Sequence, residues 1–267
     1  MAICLFSLGK SGDLQFGRNP LLNIRKTAEE MKRPSFVEIW YGETKLEYKS
    51  DDGTVLRTEN QKEVEEKFLH SILRALWATF KIATVGSLLA ALLALPLGIL
   101  SARNLQFPFY LRIPSNFFIN ICRSIHTLIF GLFFVGIVGL GPMAGILAIA
   151  FHSLGTYGKL YSESIETIDM GVVDAIRSVG AHPVQVFSEG VWPLIVPQFL
   201  SIHLYVWEYN LRDSTVLGLI GAGGLGLLVS EAVSLFQWSR LSTLLLVIIA
   251  IVMLFDFLSG KIRKELL

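Results

Sequence analysis

Long apolar runs separated by short polar stretches dominate the chain from residue 71 onward. A spanning helix needs roughly 20 consecutive apolar residues. Five runs approach that length. The first covers about Ser71 to Ser101, with Ile82 to Ala102 free of charge and Pro96 set to kink it near its end. The second covers about Ile113 to Gly139 and holds Arg123. Leu140-Gly141-Pro142 makes a tight reversal into the third, about Met143 to Ile165, where Gly145, Ala148, Ala150, Gly155 and Gly158 allow close helix contact. The fourth covers about Val191 to Tyr209, with Pro193 and Pro197 early in it. The last covers about Leu241 to Leu258 and ends on Lys261, Arg263 and Lys264. The expected fold class is an all-α integral membrane protein with about five transmembrane helices.

One polar stretch interrupts this pattern differently from the rest. Asp174 to Pro193 carries charges and lies between the third and fourth apolar runs. Asp174 and Arg177 are three apart and share a helix face. Gly180 suits the left-handed position that ends a helix. Pro183 suits the first turn of another. The segment therefore predicts two short helices with a turn between them. On composition alone, a solvated loop and a docking element fit it equally.

Residues 1–67 differ from everything that follows. They hold 11 Lys/Arg and 12 Asp/Glu, against 12 and 10 in the remaining 200 residues. No run in them is long enough to span a membrane. The chain therefore divides into a polar N-terminal segment, 1–67, and a membrane domain, 68–267, with a loop at 171–190. Ser35 to Leu46, with Val37, Ile39, Trp40 and Tyr41, has β-like or interfacial character. Glu59 to His70 predicts a short charged helix leading into the membrane. The apolar start, Met1 to Leu8, is too short for a secretory signal and has no basic segment before it.

Charge also orients the chain. If the Lys261–Lys264 tail is cytoplasmic, alternation puts the 159–190 stretch and the 102–112 loop on the same side, with Arg103, Arg112, Lys159 and Arg177. The opposite reversal at Leu140 to Pro142 is uncharged, which fits the positive-inside rule. The net charge of +1 argues against a nucleic-acid partner. Cys4 and Cys122 are too few and too far apart for a disulfide framework.

Several motifs invite a chemical reading. Gly221-x-Gly223-x-x-Gly226 has the letters of a dinucleotide fingerprint. It lacks the preceding strand and the acidic residue about 20 positions on that the fingerprint needs. Together with Gly224 it predicts a glycine-rich turn or a break in a membrane helix. Leu8-Gly9-Lys10-Ser11 matches the end of a phosphate-binding loop, but Cys4 occupies the place of its first glycine. The five histidines, at 70, 126, 152, 182 and 203, show no metal-ligand spacing. No nucleophile–base arrangement and no carboxylate pair is visible, so neither a catalytic nor a metal site is expected. Arg123, Glu208 and Arg212 are charges inside spans, and such charges are functional candidates by default. Interfacial snorkelling is the alternative for the two arginines. Glu208 and Arg212 have the favourable i, i+4 order.

The polar stretch resembles the cytoplasmic loop of ABC-importer permeases. That loop reads Glu-Ala-Ala, three residues, Gly, then a Pro at the distance seen from Gly180 to Pro193. Asp174 replaces the Glu, Ala175 is kept, and Ile176 replaces the second Ala. Gly190 and Trp192 stand where the family usually has Ile and Leu. Two further stretches, Cys122 to Ile125 with Val138 to Gly145, and Arg212 to Gly226, are similar to the phosphonate/phosphite permease branch. The resemblance covers about residues 35–267. It implies a type I importer. A second copy of this chain would complete the pathway, and two cytoplasmic ATPase subunits would bind the 174–190 loops. Those subunits, not this chain, would hold ATP and magnesium. An extracytoplasmic binding protein would deliver a phosphonate, phosphite or related oxyanion. Asp174, Ala175, Arg177, Gly180 and Pro193 would shape the coupling loop, with His182 and Gln185 as contacts. Arg123 and Arg212 would bias the pathway toward anions. A methionine or osmolyte permease, or a structural membrane subunit, is the competing expectation. Two departures from the family stand out: residues 1–33 lack the additional span usual near the N-terminus, and His126 stands where a Pro is frequent, which puts a kink in the second span in doubt.

Overall fold

A computed structural model describes residues 20–32, 34–37, 45–49, 55–105 and 107–266. They form two compact units. One comprises residues 1–67 and 232–243, the other residues 68–231 and 244–267.

In the first unit, α1 (Pro20–Met31) is followed by a helical turn at residues 35–37. Strands β1 (Lys45–Lys49) and β2 (Val55–Asn60) pair antiparallel, with an irregularity between Tyr48 and Lys49. The β-like character expected over Ser35 to Leu46 is thus displaced: Val37 is helical, Leu46 is the second residue of β1, and Ile39, Trp40 and Tyr41 lie outside the described residues. Asn60 caps the next helix through a 3.1 Å bond from the Lys62 N–H to its Oδ1. Two further contacts tie the unit together. The Ser35 N–H donates to Thr243 Oγ1 at 2.9 Å, and Arg240 pairs with the buried Glu65 at 3.1 Å.

The charged helix expected before the membrane is not separate. It is the first part of α2 (Gln61–Ser101), 41 residues that run unbroken through Pro96. The expected start at Ser71 is therefore ten residues late. Alternating charged and apolar residues in 61–70 keep helical periodicity, and no breaker separates them from the apolar run.

The second expected span is broken. α3 (Phe109–Ser124) and α4 (Thr127–Val138) meet at 90° across Ile125 and His126. α5 (Pro142–Glu166) sits at the centre of the second unit, and α3, α4 and α7 pack on it. Small residues bring the helices close. A Cβ on Gly155 would strike the Arg123 backbone of α3, and one on Gly86 of α2 would lie 2.8 Å from Ile149 of α5.

α6 (Met170–Ser178) and a turn lead into α7 (Pro183–Ala222), a 40-residue helix with π-helical turns at Val186–Val191 and Gly218–Ala222. The fourth span was expected to begin at Val191. It begins eight residues earlier because the π turn absorbs Pro193. The Trp192 N–H bonds back to Phe187 rather than one residue nearer, which widens the helix just where the proline ring and its missing N–H would otherwise disrupt it. α8 (Leu225–Ser234) and α9 (Trp238–Leu266) complete the chain.

Among the described residues, three helices are long and apolar enough to cross a membrane: Lys62–Ser101, Pro183–Ala222 and Trp238–Glu265. Counted as one span, the bent α3–α4 pair makes a fourth. The remaining expected span corresponds to α5. Its 25 residues are long enough, but it is surrounded by protein, so polar residues such as Ser153, Tyr157 and Ser162 are buried in helix contacts rather than set against lipid.

Candidate functional site

The polar stretch between α5 and α7 is a built unit. Asp169 caps α6 by accepting the Gly171 N–H at 2.9 Å. Asp174 and Arg177 sit on one exposed face at 3.4 Å. Ala175 lies between them on the same helix and accepts from the Ser178 hydroxyl through its carbonyl. Gly180 ends the helix at φ +82, with open space where a Cβ would go. The requirement for glycine here is therefore one of backbone conformation and not of room. His182 then caps α7. Its Nδ1 accepts the Val184 N–H, while Gln185 Oε1 accepts the His182 N–H at 2.9 Å. This reciprocal arrangement is a capping box, with histidine in the place usually taken by Ser or Thr.

The unit is anchored underneath. Val173, Val186 and Val191 are buried with Tyr161, Ile165 and Ile195 in one core cluster. Gly190, which departs from the resembled family, faces Val173 and Ile176. A Cβ there would lie 3.1 Å from Ile176 Cδ1, so glycine lets α6 cross α7 closely. From the other side, Asn104 donates to the Ile165 carbonyl at 2.6 Å, and the Arg103 N–H donates to Glu166 at 3.0 Å. A cavity of about 650 Å³ opens between this loop and the unit, lined by Phe107, Arg177, Pro183 and Phe187 among others. At the tip, Val179 is 83% exposed and Val184 68%. Two bare valines at the end of a polar hairpin are costly in water and useful to a docking partner.

The charges within the spans are separated. Arg123 closes α3, is exposed, and has no ion-pair partner among the described residues. Glu208 is buried in α7 and bonded to Arg212 one turn on. Its other oxygen lies 3.7 Å from Arg263 of α9. One carboxylate between two guanidiniums clasps the last helix to α7, and Arg263 also lies over the Tyr205 ring at 5.8 Å. Arg123 has no part in this cluster.

The glycines at 221, 223, 224 and 226 form the turn between α7 and α8. Gly221, Gly223 and Gly224 have positive φ. Gly221 accepts the Gly141 N–H at 3.0 Å, joining the turn to the reversal at Leu140 to Pro142. Thr79 of α2 accepts the Leu225 N–H at 2.9 Å, and a Cβ on Gly224 would collide with it. Gly226 lies against the Thr215 carbonyl.

The roles of several polar residues are not legible in the sequence. His126 caps α4 by accepting the Leu128 N–H at 3.2 Å. It thus supports the kink that the absence of proline had put in doubt. His152 of α5 donates Nδ1–H to the Ile125 carbonyl at 2.8 Å, satisfying the backbone that the break exposes. Thr127 donates to Asp213 of α7 at 2.6 Å. Asn210, fully buried, accepts from Ser153 of α5 and donates to Ser87 of α2. The spacing of Asn210 and Asp213, three apart and so on one helix face, was the available signal.

Comparison with known proteins matches this architecture. The family model for binding-protein-dependent transport system inner membrane components matches residues 94–264. The putative phosphite transport system permease protein HtxC of Stutzerimonas stutzeri is 36% identical over 199 residues, 74% of this chain and 71% of that one. The phosphite transport system permease protein PtxC of the same organism is 38% identical over 196 residues, 73% and 71% respectively. A solved inward-facing MetNI methionine ABC transporter chain superposes with a TM-score of 0.68 at 22% identity, covering 76% of this chain and 99% of that one. A central helix, a broken span and an anchored polar hairpin, in a chain matched over most of its membrane portion, have one common account: this protein belongs to the family of binding-protein-dependent transport system inner membrane components.

Proposed function

We propose that the chain is the membrane-spanning permease subunit of an ATP-driven importer of phosphite, phosphonate or a related phosphorus oxyanion. The observation that carries this reading is the 36–38% identity to two phosphite permeases across nearly three quarters of the chain. The α6–α7 hairpin is the element that receives force. Its tip is exposed and apolar, and its base is fixed in the core by Val173, Val186 and Val191. A cytoplasmic ATPase subunit docks on each hairpin, binds ATP and magnesium, and supplies the energy. Asp174, Arg177, His182 and Gln185 set the hairpin's shape, and Gly180 its turn. An extracytoplasmic binding protein delivers the anion, and a second copy of the chain completes the pathway. The hairpin and the C-terminal end of α9 lie on the cytoplasmic side of the cell membrane, where Lys261, Arg263 and Lys264 obey the positive-inside rule. Residues 1–67 form a polar segment outside the transport domain proper.

The test is loss of uptake. Deleting the gene from its own cell abolishes growth on phosphite or a phosphonate as sole phosphorus source, and the wild-type gene restores it. Undiminished uptake of both in the deletion strain contradicts the proposal.

A further inference from the structure

A cavity of about 450 Å³ opens on the second unit between α7, α8 and α9. α9 forms one wall from Leu245 to Met253, α7 the other from Arg212 to Leu219, and Val229 of α8 closes it. At the α-helical rise this groove is about 12 Å long. Its surface is apolar but for one group. Thr215 turns its hydroxyl back to the Leu211 carbonyl at 3.4 Å, and Arg212 stands at one end. Leu219, Ile249 and Met253 on its rims are exposed. Such a face is at home against lipid or a partner, not water.

Arg212 is poorly matched to this setting. Its side chain is 49% exposed beside an apolar wall, where a guanidinium is costly. It bonds to Glu208, one turn back on α7, so its head points toward the end of α7 that carries the hairpin. The same carboxylate faces Arg263 of α9 at 3.7 Å. One negative charge thus serves two positive ones, and Arg263 Nε is a buried donor with no acceptor. Asp256, further along α9, pairs with neither arginine among the described residues. The foot of the groove therefore holds surplus positive charge.

Depth in the bilayer decides what meets both needs. Each leaflet contributes about 15 Å of hydrocarbon, so a groove about 12 Å long fits within one leaflet. Met253 lies about 12 Å along α9 from Lys261, where the polar tail begins. An arginine at that depth reaches the headgroups by snorkelling. Basic pockets between transmembrane helices on the cytoplasmic side take anionic headgroups.

We infer that the α7–α9 groove binds an anionic phospholipid of the cytoplasmic leaflet, with one acyl chain along Val216, Leu219 and Ile249 and its phosphate on Arg212. The phosphate offsets the surplus charge of the Arg212–Glu208–Arg263 clasp, so the lipid seals α9 against α7. A free oxyanion does not suit this site, because beyond one guanidinium the wall offers it no donor. The choice of leaflet rests on the orientation proposed for the hairpin and α9. The site itself requires only that α7 and α9 cross a membrane.

The experiment uses the full importer, this chain with its ATPase and binding protein, in phosphatidylcholine vesicles. These carry a trace of phosphatidylglycerol or phosphatidylcholine with a photoreactive group midway along one acyl chain. After illumination, adducts are mapped by peptide mass. Residues 212–219 and 245–253 label about fivefold more with the phosphatidylglycerol probe, the preference expected from one basic residue. Leu92 and Leu93, exposed on α2, label equally with both probes. Arg212→Gln removes the preference, and Arg212→Lys keeps part of it. Ile249→Trp leaves the clasp intact, fills the groove, and lowers labelling by both probes there alone. Equal labelling of the wild-type groove by the two probes, or an undiminished preference in Arg212→Gln, overturns the inference. So does an absence of lipid adducts in the groove, and a cross-link to a second copy in their place would make this face a subunit interface. Uptake does not enter the readout, so an importer that carries no phosphorus oxyanion still decides the question.

Discussion

Gly180 and Glu208 carry opposite kinds of constraint. Gly180 has room around it and a backbone that side chains resist. Gly180→Ala should destabilise the hairpin by about 1 kcal/mol, and Gly180→Asp should do the same while adding a charge at the docking tip. Uptake should fall sharply in the Asp variant, together with recovery of the ATPase on purification. Normal transport by Gly180→Asp would count heavily against the coupling role. Glu208 has little exposure and two arginine partners. Glu208→Ala leaves both guanidiniums facing each other across α7 and α9. The expected loss is about 1–3 kcal/mol, below that of fully buried pairs because both arginines keep partial exposure. Thermal unfolding in detergent measures it, and an unchanged midpoint would mean the clasp contributes nothing.

Elements explain why some features were legible in the sequence and others were not. Helix periodicity and charge located the hairpin, its glycine turn and the proline that opens α7, because each rests on residues adjacent in sequence. The break between α3 and α4 rests on a side chain 27 positions away, since His152 satisfies the Ile125 carbonyl. No local pattern records that. The early start of α7 was hidden for a related reason. Pro193 argues for a helix start at its own position, and only the π turn before it lets the helix begin at Pro183. Glycine at 190 was an unexplained departure until α6 was seen to cross there. The account makes a specific demand at the break. His152→Phe leaves a backbone carbonyl unpaired and should cost about 1–2 kcal/mol. His152→Gln keeps a donor and should recover much of that loss. Equal melting behaviour of both variants and wild type would show that the break does not depend on this bond.

The whole molecule joins a hairpin with exposed valines to a bundle whose central helix, α5, is largely buried. The hairpin base is buried against α5 and α7, so displacement of the hairpin is passed directly to both helices. Val179→Asp and Val184→Asp test that link from outside the bundle. Both side chains are largely exposed, so stability should change little. ATPase capture should nevertheless fall. The most direct measurement is ATP-driven accumulation of labelled phosphite in proteoliposomes holding this chain, its ATPase and its binding protein. The account predicts uptake that requires ATP and the binding protein, and that is lost in the double Val179→Asp, Val184→Asp variant although the bundle remains folded. Uptake by the double variant at the wild-type rate, or no ATP-dependent uptake of any phosphorus oxyanion by the wild type, would contradict it.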